Sequence, residues 1–186
     1  MTKVMVAIAP GSEEIEAVTI IDVLRRADVT VDVVSVCPAG SIEICASRGV
    51  KLLADLHLNQ IDASAYDMLV LPGGVPGSEV FRDSIHLIEI LKNRSNTQWL
   101  AAICAAPALV LVPHNLLGEA QVTCHPGFQK DLPKQLLSTQ RVVVDKTHQL
   151  ITSQGPGTAL EFSLALVAQL KGQDCANAVA APMVLA

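Results

Sequence analysis

The chain has 186 residues, half of them apolar and only 3% aromatic, with a formal net charge of −5. That length fits one domain over residues 1–186, with a large aliphatic core of the kind that parallel sheets bury between helices. The acidic balance gives no electrostatic reason to expect nucleic acid or an anionic membrane surface, no apolar run reaches membrane-span length, and five scattered cysteines without a Cys-x-x-Cys pair argue against a disulfide framework or a zinc knuckle.

Residues 3–9 read as a first strand, entered directly and without the separate apolar region and cleavage site of a signal peptide, so a reducing cytoplasm is the expected setting. Pro10-Gly11-Ser12 breaks the strand, and Ser12 is the expected cap of a helix reaching about residue 27, with Glu13 and Glu14 as solvated first-turn acids. The apolar face of that helix runs through Ile20, Val23, Leu24 and Ala27. One turn back from Ile20 lies Glu16, which the spacing points inward. A buried carboxylate needs a partner or a raised pKa, which makes Glu16 a candidate functional acid; a structural bond to backbone is the alternative.

A second strand spans 30–36, with Cys37 as packing, and short strands at 42–45 and 50–53 flank the turn Ala46-Ser47-Arg48-Gly49. Arg48 reads equally as a surface residue or an anion donor, and His57 and Asn59 fall in an exposed polar connection. The strand at 67–71 runs into Pro72-Gly73-Gly74. Two glycines there let backbone N–H groups approach a ligand, as half of an oxyanion pocket would require, but they form neither a dinucleotide fingerprint nor a phosphate loop. A helix at 84–92, carrying a surface His86, and a polar loop at 93–96 lead to the apolar strand that ends Ala101-Ala102-Ile103-Cys104.

Cys104 sits at a strand's carboxyl end, ahead of a predicted helix over 105–112 with Pro107 in its first turn. The helix dipole there would favour thiolate, and the alanines on both sides permit a tight turn that presents a nucleophile. A small buried hydrophobe is the alternative reading of Cys104. A short strand at 120–124 ends at His125, and strands at 141–144 and 150–152 precede a glycine-rich turn into a helix over 159–170, capped by Thr158; a last segment, 176–185, completes the cover. Strands and helices alternate throughout, so the expected fold is an α/β sandwich.

The segments Pro-Gly-Ser-Glu-Glu-Ile-Glu16-Ala, Cys45-Ala-Ser-Arg48-Gly-Val, Leu-Pro-Gly-Gly74, Ala-Ala-Ile-Cys104-Ala-Ala-Pro, Thr-Cys-His125-Pro and Thr-Ser-Gln-Gly-Pro-Gly157-Thr recur in order over nearly the whole chain. Together they resemble the DJ-1/PfpI superfamily, in its DJ-1 branch near the bacterial members labelled ThiJ. The resemblance implies a flavodoxin-like three-layer sandwich with a mostly parallel central sheet and a nucleophile-elbow cysteine, in a homodimer. It implies Cys104 as the reactive cysteine, Glu16 as its protonated partner, His125 as the nearby histidine, and the N–H groups of Gly74 and Ala105 as oxyanion donors. It also places Arg48 and Cys45 near the dimer contact. No cofactor and no metal are implied. In the protease-like branch a histidine follows the nucleophile; here Ala105 does, which argues against peptidase chemistry.

The expected activity is therefore attack of Cys104 on a small dicarbonyl such as methylglyoxal, or on an early glycation adduct, as in a glutathione-independent glyoxalase or deglycase. A redox sensor or stress chaperone that works through oxidation of Cys104 is the alternative. Cys124 reads as packing or as a resolving thiol, and a metal site from Cys104, Cys124 and His125 has no fourth ligand at a predictable position.

Overall fold

Residues 2–185 are described by a computed structural model. Strands β1 (Lys3–Ile8), β2 (Thr30–Ser35), β5 (Leu56–His57), β6 (Met68–Leu71), β7 (Trp99–Ile103), β8 (Val142–Asp145) and β9 (Leu150–Ser153) form one sheet in the order β5-β2-β1-β6-β7-β9-β8. Every pairing is parallel except β8 with β9. The small hairpin of β3 (Glu43–Cys45) and β4 (Lys51–Leu53) stands apart from it.

Both faces of the sheet are covered, which explains why the central strands read as unbroken apolar runs. Val4, Val6 and Ile8 of β1 pack with Ile20, Val23 and Leu24 of α1 (Glu14–Arg26) and with Phe162 and Leu166 of α4 (Ala159–Lys171). Met5 and Ala7 face the other way, toward Phe81 of α2 (Val75–Asp83) and Leu87 and Leu91 of α3 (Ile85–Lys92). A short α5 (Gln173–Ala180) follows α4. This is the expected flavodoxin-like three-layer α/β arrangement. No helix among the described residues is long and apolar enough to cross a membrane.

Local details depart from the sequence reading. Glu13, not Ser12, caps α1: its carboxylate accepts from the Glu16 N–H at 2.8 Å, while the buried Ser12 hydroxyl accepts from the Ala9 N–H at 2.9 Å. Helix α2 has no counterpart among the expected elements; its first turn carries Pro76 and Gly77, residues that ordinarily interrupt a helix. Pro76 is harmless in the first turn, and a Cβ on Gly77 would lie 2.7 Å from Ser12 Cα, so only glycine lets the helix sit on the 9–12 loop. The segment 120–124 is no strand but a single bridge, Val122 to Leu137. The expected helix over 105–112 is a five-residue π-type turn, Pro107–Leu111. Thr158 stands at the N-cap of α4 as expected, but its hydroxyl makes no cap bond to that helix and instead binds Gly155 and Ser153.

Candidate functional site

The carboxyl ends of β6 and β7 meet the first turn of α1, as ligand sites of open parallel sheets do. Along β7, Leu100 and Ala102 pack with the α2 and α3 side, and Ala101 and Ile103 with the α1 side. Strict alternation would send Cys104 to the α2 side. Its φ is +65°, a left-handed conformation strained for a residue with a side chain, and Cys104 packs with the α1 cluster instead. The strain is held by the Cys104 N–H, which donates to Ser153 at 3.0 Å, and by its carbonyl, which accepts from the His125 N–H at 2.8 Å. The side chain is 9% exposed.

Glu16 is fully buried on the inner face of α1 and stands against the Cys104 thiol. One carboxyl oxygen accepts from the Gly73 N–H at 2.7 Å, and the other has no partner among the described residues. Burial pushes its pKa up to about 7, against the smaller pull of the Gly73 N–H and the thiol. Burial and then the Glu16 charge push Cys104 up to about 12, while the N–H groups of Gly74 and Ala105, aimed at the sulfur, pull it down. Burial and the neighbouring acid thus oppose the thiolate that a helix end at this position would favour. A five-residue turn carries little dipole, and the two N–H groups do not outweigh burial beside an acid.

Gly73 and Gly74 are required by this approach. A Cβ on Gly73 would lie 2.5 Å from Cys104 Cβ and 2.7 Å from Glu16 Oε2. Gly74 has φ +86°, and a Cβ there would fall on the Gly11 carbonyl. His125 is tied to the junction through its backbone, but its ring is exposed. Nδ1 accepts from the Gly127 N–H at 3.1 Å and the ring packs edge-on against Phe128, with no hydrogen bond to Cys104 or Glu16 among the described residues. Nε2 therefore carries the proton in the neutral ring.

Cys124 lies on the opposite side of the sheet, fully buried among α2-side residues, and burial pushes its thiol up to about 12. Cys124 and Cys104 pack in different core clusters, which supports the packing reading of Cys124 over a resolving thiol or a shared metal site. Among the described residues no group of three or more His, Cys, Asp or Glu side chains is arranged to hold a metal ion.

Sequence reasoning missed Glu14. It is buried, not solvated: its carboxylate accepts from the Ser47 hydroxyl at 2.6 Å and the Arg48 N–H at 2.7 Å, which ties the β3–β4 turn to α1 beside the site. Those bonds, with the nearby backbone N–H groups, hold its pKa below the ordinary carboxylate value despite burial. Arg48 itself is exposed, as is Cys45.

Residues 2–169 match the DJ-1/PfpI family. The chain is 46% identical over 173 residues to the protein DJ-1 homolog B of Arabidopsis thaliana, covering 92% of this chain and 39% of that one, so it spans less than half the length of that relative. It is 33% identical to the glutathione-independent glyoxalase DJR-1.2 of Caenorhabditis elegans, over 94% of this chain and 91% of that one. The structure of oxidized Toxoplasma gondii DJ-1 superposes with a TM-score of 0.95 at 40% identity, covering all of both chains.

Proposed function

The chain belongs to the DJ-1/PfpI family, and from that membership we propose that it is a cofactor-independent cysteine enzyme acting on reactive dicarbonyls such as methylglyoxal, or on early glycation adducts. The carrying observation is the convergence of the Glu16 carboxyl and the Gly74 and Ala105 N–H groups on a Cys104 held at positive φ. The name of the Caenorhabditis elegans relative supports the same substrate class.

At neutral pH the Cys104 thiol keeps its proton and Glu16 is part-ionised; the reactive form arises when the Glu16 carboxylate takes the thiol proton, leaving the thiolate beside a neutral acid. The thiolate adds to the aldehyde carbon, forming the S–C bond of a hemithioacetal, and the Gly74 and Ala105 N–H groups receive the developing oxyanion. Glu16 protonates that oxygen, and as carboxylate removes the hydrogen from the former aldehyde carbon and returns it to the neighbouring carbon. His125, with Nδ1 engaged by Gly127, gives its Nε2–H to the neighbouring carbonyl oxygen and regains a proton from the hemithioacetal hydroxyl as that oxygen becomes the thioester carbonyl. One carbon is oxidised and its neighbour reduced, so no outside electron acceptor is needed. Water then cleaves the thioester, releasing a hydroxy acid and restoring the thiol. Ala105 in place of the protease branch's histidine directs this reading away from peptidase chemistry.

The proposal extends to one domain over residues 1–186, a homodimer, and a cytoplasmic setting compatible with five free cysteines. The exposed apolar residues Ile15 and Val18 of α1, Val50 and Leu53 of the hairpin and Leu160 of α4 favour the dimer. A second reading, a redox sensor or stress chaperone, is favoured by one observation: a buried acid beside a strained and slightly exposed thiol would also hold an oxidised Cys104. Methylglyoxal consumption without glutathione, in wild type against Cys104→Ser, tests the first reading. Turnover abolished by the substitution is expected. A loss limited to one equivalent per chain, or none, would overturn it in favour of the sensor.

A further inference from the structure

The other end of the sheet carries a cavity that the cysteine chemistry does not use. It has a volume of about 500 Å³ and lies between the end of α3, the loop that leads into β7 and the turn joining β8 to β9. Lys92, Arg94 and His148 line it together with Ser95, Asn96 and Thr147, and no acidic side chain does. In a chain of net charge −5 that is a local inversion of sign. We infer that this cavity binds a small phosphate monoester, with the Arg94 fork and the Lys92 ammonium as its anion donors and the His148 Nε2 as an acceptor for a hydroxyl of the bound molecule.

The argument rests first on Arg94. Arg25, Arg26, Arg82 and Arg141 each pair with a carboxylate, and Arg48 is exposed. Arg94 is half-buried, yet no carboxylate lies within ion-pair distance among the described residues, and its one hydrogen bond is a long 3.3 Å contact from Nη1 to the Leu91 carbonyl. Burial pulls its pKa down without a compensating partner. Its remaining guanidinium N–H groups have no protein acceptor among the described residues and open on the cavity, where an anion can take them as a bidentate pair.

The second observation is His148. Its Nδ1 is paired with Asp145 Oδ1 at 2.9 Å, and that carboxylate also accepts from the His148 N–H at 3.0 Å and, through its other oxygen, from the Gln121 N–H at 3.0 Å. Asp145 thus fixes the ring with Nδ1–H donating to it and leaves Nε2 unengaged, and the ring packs over Gly118 at the cavity edge. Lys92 makes no ion pair among the described residues. Lys92, Arg94 and Ser95 from one segment and the Thr147 hydroxyl from another surround the space from two sides, which suits the tetrahedral oxygens of a phosphate better than a planar carboxylate. The volume exceeds inorganic phosphate and leaves room for a short polyol tail. The length of β7, about 17 Å, separates this cavity from Cys104, so the two sites can be filled independently.

Titration of the full chain with inorganic phosphate and with glycerol 3-phosphate, followed by amide NMR and calorimetry, tests the inference. Free glycerol and sodium chloride at matched ionic strength are the controls. The expected result is saturable one-site binding, tighter for glycerol 3-phosphate, with shifts confined to residues 92–96, 116–118 and 147–149. Arg94→Gln should weaken it about tenfold, and Cys104→Ser should leave it unchanged. Should Arg94→Gln fail to fold, Lys92→Gln at an exposed position serves instead, with about threefold weakening expected. Non-saturable shifts, shifts centred on Cys104, or affinity unchanged in these variants would overturn the site.

Discussion

Cys104 and Cys124 are two buried thiols on opposite faces of one sheet, each pushed up to about 12 by burial. Their surroundings differ. Cys124 sits in relaxed backbone among aliphatic side chains, and its sulfur reaches only the His125 carbonyl, at 3.4 Å. Cys104 is held at positive φ, against a buried acid, with two backbone N–H groups aimed at the sulfur. Burial alone therefore distinguishes nothing. Strain, a proton-holding neighbour and fixed donors make one thiol a candidate nucleophile and leave the other as packing.

The largest expected break in that contrast is Cys104→Ser, which should reduce methylglyoxal turnover about 10³-fold or more, whereas Cys124→Ser should stay within about twofold of wild type in the same assay. Equal losses in the two variants would erase the distinction. Next comes Gly73→Ala. Its new methyl would meet Cys104 and Glu16 head-on, and the rearrangement should cost about 2–4 kcal/mol in chemical denaturation along with most of the activity.

Glu16→Gln sharpens the comparison through pH. The Glu16 pKa is raised in the folded state, so the folded chain holds this proton more tightly than the unfolded chain does. Stability from this group is greatest below about 4.5 and falls as pH rises to about 7, by about 3 kcal/mol, then stays level. Denaturation at pH 5 and pH 8 should show that fall in wild type and a smaller one in Glu16→Gln. At pH 8, where the Glu16 charge holds the thiol up, alkylation of Cys104 should speed up in the same variant while Cys124 stays inert; unchanged alkylation would separate the two groups. The smallest effect is expected from Glu14→Gln, which weakens the tie to Ser47 and Arg48 by about 1–2 kcal/mol at neutral pH. Because the Glu14 pKa is lowered on folding, its contribution is present above about 4.5 and disappears as pH falls below that, the reverse of Glu16, and melting curves across pH 3–7 would reveal it.

Much of the site was legible in the sequence. Helical spacing from Ile20 turned Glu16 inward, a continuous apolar run ended at Cys104, and Gly73-Gly74 followed a strand, because periodicity and chain breaks are local properties. Glu13, Glu14 and Glu16 share one turn and one chemistry, yet become a cap, a tether and a buried acid. Only Glu16 was distinguishable, since the Glu14 partners lie in a hairpin more than thirty residues away. The short turn after Cys104 read as a helix because Ala, Leu and Val favour one, and packing of the 107–111 segment overrode that preference.

The sequence by itself determined the alternation of strands and helices, the two-faced burial of the sheet and the side of α1 on which an acid would be hidden, because those follow from side-chain period. Only the tertiary structure decided which face Cys104 occupies, which N–H groups meet its sulfur and that Arg94 has no carboxylate beside it. Those outcomes depend on one positive φ and on contacts between segments far apart in the chain, which no local pattern encodes.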